Sequence, residues 1–486
     1  MSFRRLSQVA AVMVCTVICL SCGQVYRPVV IPVNTTPPNP SNFHTLFAIS
    51  ANGLFNPGSG MQIDVSGDTK VGAASLGVNP THAALLPSFS RVFVSIAGSV
   101  VPGGSDSIIA FAPAADTTIP TGLGTLTTYG LPFGSQPVFV QTTTNTAVYA
   151  ANFGTNSVAV INASLNVVSN IVPVGVNPVA LAETPDGNKL YSVNQGDSSV
   201  TSLNTVDMSQ NIVTGFSGVT PVWAVARGDS QKVYVLAQGS GQLITIDTTT
   251  DTVSSSLSVG GGANFLLYDQ KLNRLYVTNP SSSSLFIFSA TGGAGDTPVQ
   301  LAQIAIPGLS ASSTIPCPDC SAPAPSSVAA LPDGSRLYVA SYQTSNACPD
   351  PNLNPNAGAV SCVIPQLTVI DAGSFAVKTS SLFLLAPPLF APVTVGLVQP
   401  FAVAPVTTCV PAATYGPATT RFRIFTTASE DSSHVFVSMC DAGAVASVIT
   451  STDTMVVDLA SPFSAAPPGL NGEPPPQNPL FLLTGQ

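Results

Sequence analysis

Short apolar strands alternate with polar turns along this chain, and one strand keeps returning. It is Val92-Phe93-Val94-Ser95, Val148-Tyr149-Ala150-Ala151-Asn152, Leu190-Tyr191-Ser192-Val193-Asn194, Val233-Tyr234-Val235, Leu275-Tyr276-Val277-Thr278-Asn279, Leu337-Tyr338-Val339-Ala340 and Val435-Phe436-Val437-Ser438. Each puts an aromatic second, behind Val or Leu. Tyr149, Tyr191, Tyr234 and Tyr276 follow one another at 42, 43 and 42 residues. A fixed period in that range marks one propeller blade per repeat.

One unit reads cleanly from Asn177 to Gly215. Val179 to Ala182 is an apolar strand A. Pro185-Asp186-Gly187-Asn188 is a hairpin turn, because Asp-Gly accepts the positive φ that tight hairpins require. Leu190 to Asn194 is strand B, Val200 to Leu203 strand C, and Ile212-Val213-Thr214 opens strand D. Strand C recurs at 158–162, 243–247, 285–288 and 367–371, and strand D at 167–174, 253–259 and 377–385. These segments are β-branched and bounded by Gly, Pro, Asn or Ser, as strands are. No stretch after residue 45 sustains a capped 3.6-residue apolar period, so no long helix is expected.

The two ends of the repeat fit together. Leu46 to Ser50 reads as a strand B with no A before it, and 478–483 as a strand A with no B after it. Placed in one blade they close the ring and remove two exposed sheet edges. The expectation is an all-β propeller of four-stranded blades over residues 45–486. Eight blades is the count, with seven the alternative because the first and last units are the least regular.

Leu275-Tyr276-Val277-Thr278-Asn279 resembles the signature of the YVTN-type β-propeller repeat family. Pro185-Asp186-Gly187-Asn188-Lys189-Leu190-Tyr191 and Pro332-Asp333-Gly334-Ser335-Arg336-Leu337-Tyr338 resemble its fuller turn-strand repeat. The resemblance implies a propeller, WD40-like in architecture. Its relatives include surface-layer and secreted proteins of unknown ligand, and the wider superfamily includes lactonases and quinone-dependent dehydrogenases. The motif is one of packing and turns, and no catalytic residue carries over from it.

Composition adds the compartment. The chain is 45% hydrophobic and 8% charged, with 43 Pro and 39 Gly, which suits a turn-dense β protein and not a disordered one. A net charge of −9 offers no basic stripe for nucleic acid. Arg4-Arg5 followed by apolar Val9 to Leu20 reads as an export signal over 1–21, too short to span a bilayer. Ser21-Cys22 at its end resembles a bacterial lipoprotein processing site, although Leu20 stands two before the Cys where the pattern wants it three before. Cys22 would then carry lipid, and an ordinary cleaved signal is the alternative. Residues 22–44 form a Pro-rich tether that would hold the propeller off the membrane. Without Arg4 and Arg5, 12 basic residues face 23 acidic ones, a net −11.

Six cysteines remain beyond Cys22: Cys317, Cys320, Cys348, Cys362, Cys409 and Cys440. An even number in an exported chain reads as disulfides, and six allow fifteen pairings. The local pairing is expected: Cys317–Cys320, Cys348–Cys362 and Cys409–Cys440. All six fall in or beside three interruptions of the repeat, at 307–325, 344–365 and about 386–420. The first and third lie between strand D and the next strand A, with 422–425 read as that strand A. The second lies between strands B and C. D–A and B–C loops share a face of an up-and-down blade, so the insertions should cluster there, either as a binding surface or as tolerated loops stapled against proteolysis.

Candidate chemistry is sparse. Cys317-Pro318-Asp319-Cys320 has the spacing of a redox pair but no helix N-terminus to activate a thiol, so a structural disulfide fits better. Zinc held by Cys317, Cys320, Cys348 and Cys362 would need a tighter second pair. Of three histidines, His82 stands two after Pro80 at a strand A start, where other units carry Phe139, Trp223 and Phe481. These four would ring the channel mouth, or serve packing between blades. No nucleophile elbow, zinc-protease motif or phosphate loop is present. The sequence therefore reads as a monomeric binding or structural module of the bacterial cell envelope, without metal or cofactor. Its partners would be the membrane, through the lipid anchor, and an unknown protein, glycan or small molecule. The alternative is a propeller enzyme of lactonase or quinone-dependent type with its site at the channel mouth.

Overall fold

A computed structural model describes residues 45–485 apart from 54–55, 65–68, 114–122, 125, 217, 314–316, 349–360, 379–392, 395–396, 399–408, 410–421 and 457–477. The signal, the tether and Cys22 lie outside the described residues. The fold is an eight-bladed β-propeller. Seven sheets are four-stranded, and the seventh blade gains a fifth strand, Val393–Thr394, on its outer edge.

Blades are counted here from the first complete one along the chain. Their inner strands are Pro80–Leu85, Pro137–Gln141, Pro178–Glu183, Pro221–Ala226, Phe265–Asp269, Ala324–Ala330, Ile424–Ala428 and Asn478–Thr484. Each inner strand packs on the next, and the last returns to the first, so the ring is closed. The closing blade is built as the two orphan strands require. Thr45–Asn52 pairs antiparallel with Asn478–Thr484, with Phe47 opposite Leu483 and Ile49 opposite Phe481.

Apart from the closing blade and the added edge strand of the seventh, the strands of each blade are antiparallel neighbours in chain order, joined by turns whose chemistry matches their geometry. Gly187 sits at φ +70°, where a side chain would be strained, and Gly187 N–H donates to Thr184 O at 2.8 Å. In the sixth blade the second and third strands, Arg336–Ser345 and Cys362–Asp371, run ten residues each. Their hairpin rises well beyond the six-residue strands of its neighbours. The outer strand of that blade starts where expected, with Val377 bridged to Ile370, but further along it is Leu397–Val398 that pairs with 367–368. The long insertion thus supplies edge strands to two blades.

The repeated aromatic of strand B is the inter-blade cement. Tyr191, Tyr234, Tyr276, Tyr338, Phe93 and Phe436 are fully buried. A buried phenol needs an acceptor, and the next blade usually provides it. Tyr191 donates to Asp251 at 2.6 Å, Tyr338 to Asp453 at 2.6 Å, and Tyr234 to Ala290 O at 3.0 Å. A basic residue at the start of strand B reaches the same C–D turn of the following blade. Lys189 meets Thr248 O and Asp251, Arg336 meets Thr450 O and Asp453, Arg274 meets Ala372 O, and Arg91 meets Ala163 O.

Candidate functional site

Two places merit attention: the axis and the stapled loops. Six of the eight inner strands carry a proline at or next to their start, and a bulge follows. The register shifts between Pro80 and Ala83, Pro137 and Phe139, Pro178 and Ala180, Pro221 and Trp223, and Pro325 and Ser327. Asn79, Gln136, Asn177 and Thr220, just before four of these prolines, take positive φ. A bulge re-aims the side chains around it. Here the result is a set of rings stacked on the axis.

His82, Phe139, Trp223 and Phe481 do come together there, with exposures of 5, 4, 6 and 7%. His82 stacks on Phe139 at 3.9 Å and lies 4.3 Å from Phe481, and Phe139 meets Trp223 edge-on at 5.3 Å. Phe265, Phe422 and Phe425 complete the cluster, with Trp223 5.2 Å from Phe265 and Phe425 4.6 Å from Phe481. The rings fill this end of the channel and do not line an open mouth. Burial holds the His82 imidazole neutral, down to about 3, and Val140 N–H donates to its Nδ1 at 3.3 Å. His82 is a packed ring with one polar anchor, not a poised base. Towards their other ends the inner strands are partly exposed at Leu85, Gln141, Val225 and Thr427, while Glu183 and Asp269 are buried.

The structure pairs Cys317 with Cys320, Cys348 with Cys362, and Cys409 with Cys440. The first lies in the D–A loop ahead of the sixth blade, the second at the far end of its two paired ten-residue strands. The third ties the next D–A insertion to the end of strand B in the seventh blade. The insertions also grip one another. Gln343, 1% exposed, accepts from Leu309 N–H at 2.6 Å and donates to Ser321 O at 2.6 Å. Asp319 accepts from Ser345 Oγ at 3.0 Å, Asn346 N–H at 2.8 Å and Ala347 N–H at 2.9 Å. Burial works to raise the Asp319 carboxyl, but donors from Ala347, Ser345 and Asn346 outweigh it and hold it below the usual carboxylate range. The Cys-Pro-Asp-Cys segment is therefore a clamp: the disulfide shapes the turn and its aspartate caps the neighbouring hairpin.

Between that hairpin and the seventh blade lies a small crevice with room for about one water, lined by Tyr342, Val363, Pro365, Arg423, Ile424, Met439 and Cys440 to Ala442. Arg423 spans its floor, paired with Asp441 (Nε–Oδ2 2.6 Å, Nη2–Oδ1 3.1 Å) and lying over the Tyr342 ring at 5.2 Å. The sequence carried a usable signal for this pair. Arg423 stands just before a strand A and Asp441 two residues after the adjoining strand B, and paired antiparallel strands bring such flanks together. Most other described basic side chains are engaged elsewhere: Arg227 with Asp229 and Asp296, Lys232 with Asp247, Lys378 with Asp453, and the blade-to-blade residues given above. Among the described residues no group of three or more His, Cys, Asp or Glu could hold a metal ion.

No protein-family model matches the chain, and no curated protein matches it. Solved structures do. The dihydro-heme d1 dehydrogenase NirN, in complex with its ligand, covers 93% of this chain and 78% of its own at 8% identity, with a TM-score of 0.54. A periplasmic gluconolactonase from Pseudomonas aeruginosa covers 68% of this chain and 93% of its own at 14% identity, TM-score 0.49. A putative 6-phosphogluconolactonase from Bacteroides uniformis covers 62% and 92% at 12% identity, TM-score 0.46. At these identities the likeness is one of fold.

Proposed function

We propose that this chain is an envelope-anchored β-propeller of the YVTN-repeat type that works as a binding module through its stapled loops. One observation carries the reading. Three disulfides sit in or beside the interruptions of the repeat, and one of them ties Cys409 to the end of strand B in the seventh blade, while rings fill the axis on that side. Rigid loops on a rigid scaffold are how binding surfaces are preorganised. Disulfides also suit an oxidising, exported setting, which accords with the signal at 1–21 and lipid on Cys22. The second reading, a propeller enzyme in the class of the two lactonase neighbours, would place polar groups where His82, Phe139 and Trp223 pack.

The test uses the mature chain without lipid and isolated cell-envelope material from a bacterium. Retention on that material is measured by co-sedimentation for the native protein and for a variant whose sixth-blade hairpin is shortened, replacing 343–364 by Asn-Gly. A variant with an altered A–B turn at Pro185–Asn188 is the control. Loss of retention in the first variant alone is expected. Equal retention by both variants would overturn the reading. Anchoring is tested separately: Cys22→Ala should release the full chain from membranes, and a mature N-terminus whose intact mass lacks acyl chains would refute it.

A further inference from the structure

We infer that the turns of the first and second blades form a contact surface for a lipid bilayer. The inference rests on the envelope-anchored reading and adds which surface the propeller sets against the membrane. A–B and C–D turns share a face: Ala163 N–H donates to Thr146 O in the second blade, and Thr205 N–H to Asn188 O in the third. Because the turns repeat, each position can be compared between blades. One residue of the A–B turn takes positive φ. It is Gly187, Ser230, Gly334 and Ser432 in the third, fourth, sixth and seventh blades, and Phe89 in the first, at +57°. The position is the same one, since Phe89 N–H donates to Leu86 O as Gly187 N–H does to Thr184 O. A bulky side chain is strained in that conformation, and such strain gathers at functional positions.

The C–D turn shows the same departure. Leu165 stands where Thr250 and Ser374 stand in the fourth and sixth blades, each just ahead of a residue at positive φ (Asn166, Asp251, Phe375). Leu165 is 70% exposed; Val167 beside it and Leu126 at the matching end of the first blade are 47% and 44% exposed, and Phe89 is half-buried. The two turns are joined. Ser88 N–H donates to Asn145 Oδ1 at 2.7 Å, and the Arg91 guanidinium crosses from the first blade to Ala163 O and Asn166 Oδ1 of the Leu165 turn.

Charge and chain path say what covers this patch. Residues 117–182 contain no Asp, Glu, Lys or Arg. The A–B turns of the third, fourth, sixth and seventh blades carry Asp186, Asp229, Asp333 and Asp431, and those of the first two carry no carboxylate. The described partners of Arg91 are the two oxygens above and Tyr129 Oη, so its charge is not neutralised by a carboxylate. Apolar tips over an arginine match the boundary between headgroup phosphates and acyl chains, while the acidic turns are repelled by anionic lipid. A second copy fits less well, because a two-fold contact would set Arg91 against Arg91. The chain also joins the propeller on this face. Thr45 lies at the A–B end of the closing blade, where Leu46 is opposite Thr484, and that blade is the neighbour of the first.

For the test, the mature chain is coupled through its Cys22 thiol to a maleimide lipid in vesicles of phosphatidylethanolamine with a minor share of phosphatidylglycerol. The anchor is then present whatever the cell adds. Leu165→Trp emission should be quenched when the acyl chains are brominated. Phe133→Trp, at a site 80% exposed in a D–A loop of the opposite face, should not be, and buried Trp223 is the constant background. Uncoupled chain carrying Phe89→Gly and Leu165→Asp should partition onto the same vesicles about tenfold or more weakly than the native chain. Phe89→Gly alone separates contact from packing: it should melt no lower than the native protein, since Gly accepts the positive φ, yet partition more weakly. The inference is overturned by unquenched Leu165→Trp, by equal quenching of Phe133→Trp, by undiminished partition of the double variant, or by dimers in lipid-free solution that Leu165→Asp dissolves. Intact mass of the native N-terminus tests the anchor separately, so the two failures are told apart.

Discussion

Glu183 ends the inner strand of the third blade and is 2% exposed. Its Oε2 accepts Thr143 N–H from the preceding blade at 2.7 Å, while Oε1 is buried without a partner. Burial lifts this carboxyl from 4.5 to about 7; Thr143 pulls it down and Asp186 pushes it up, but neither outweighs desolvation. The sign follows from linkage. The folded chain keeps the proton up to about pH 7, whereas the unfolded chain sheds it above 4.5. Stability associated with the proton is therefore present below 4.5 and is lost as pH rises towards 7. At ~1.4 kcal/mol per tenfold change in proton affinity, the loss is about 3 kcal/mol above pH 7. Glu183→Gln removes the charge and keeps an oxygen for Thr143. The variant should match the native protein near pH 4.5 and exceed it by up to about 3 kcal/mol near pH 8. Thermal unfolding of both proteins from pH 4.5 to 8.5 at constant ionic strength reads the difference. A gap that is flat with pH, or a variant less stable at pH 8, would refute the reasoning.

Deleting residues 477–486 should open the closing blade and give aggregated or protease-sensitive protein, since Leu46 to Ala51 would lose their partner strand; a truncation that stays monomeric and melts like the full chain counts against the latch. Trp223 is the sole tryptophan and 6% exposed, so its emission should be blue-shifted and resist acrylamide quenching. An open channel mouth would let the quencher in. Trp223→Ala should cost about 3–5 kcal/mol through the cavity it leaves, measured by denaturant unfolding; a cost under about 1 kcal/mol would show that the cluster can collapse. Arg336→Ala leaves Asp453 with Lys378 and Tyr338 as partners and strips Thr450 O of a donor. The expected loss is about 1–3 kcal/mol, with new proteolytic sensitivity between the sixth and seventh blades, and unchanged melting would argue against the inter-blade role.

Period and turn chemistry made the blades legible, and the unmatched strands at 46–50 and 478–483 revealed how the ring closes. These features are local, or need only one pairing rule. What was not legible depends on convergence between blades. Phe265 lacks the proline that announces Phe139 and Trp223, and Phe422 precedes its strand, so neither advertises a place in the stack. Glu183 occupies a strand position held by Ala226 and Ala330 in other blades. Nothing in one repeat tells that Thr143 of the neighbouring blade will cover it. The 386–420 insertion was expected as a loop, yet Val393–Thr394 and Leu397–Val398 join two sheets. Edge strands of two residues carry too little periodicity to be read from sequence.

The pairing that closes the ring also decides which way the molecule faces. Leu46 lies opposite Thr484, and Gly485 N–H donates to Thr45 O, so the chain enters and leaves the propeller at one point. The opposite ends of the same two strands, Ala51 and Asn478, sit beside Cys440, where Asn478 Nδ2 donates to its carbonyl at 3.0 Å. Eight residues of strand separate the two ends by roughly 25 Å. Whatever grips this protein by either terminus, whether a tether, a fused domain or a surface linkage, holds it by its back. The end of the blade that carries Ala51, Asn478 and Cys440 is then left free, and cargo attached at both ends would share the other side.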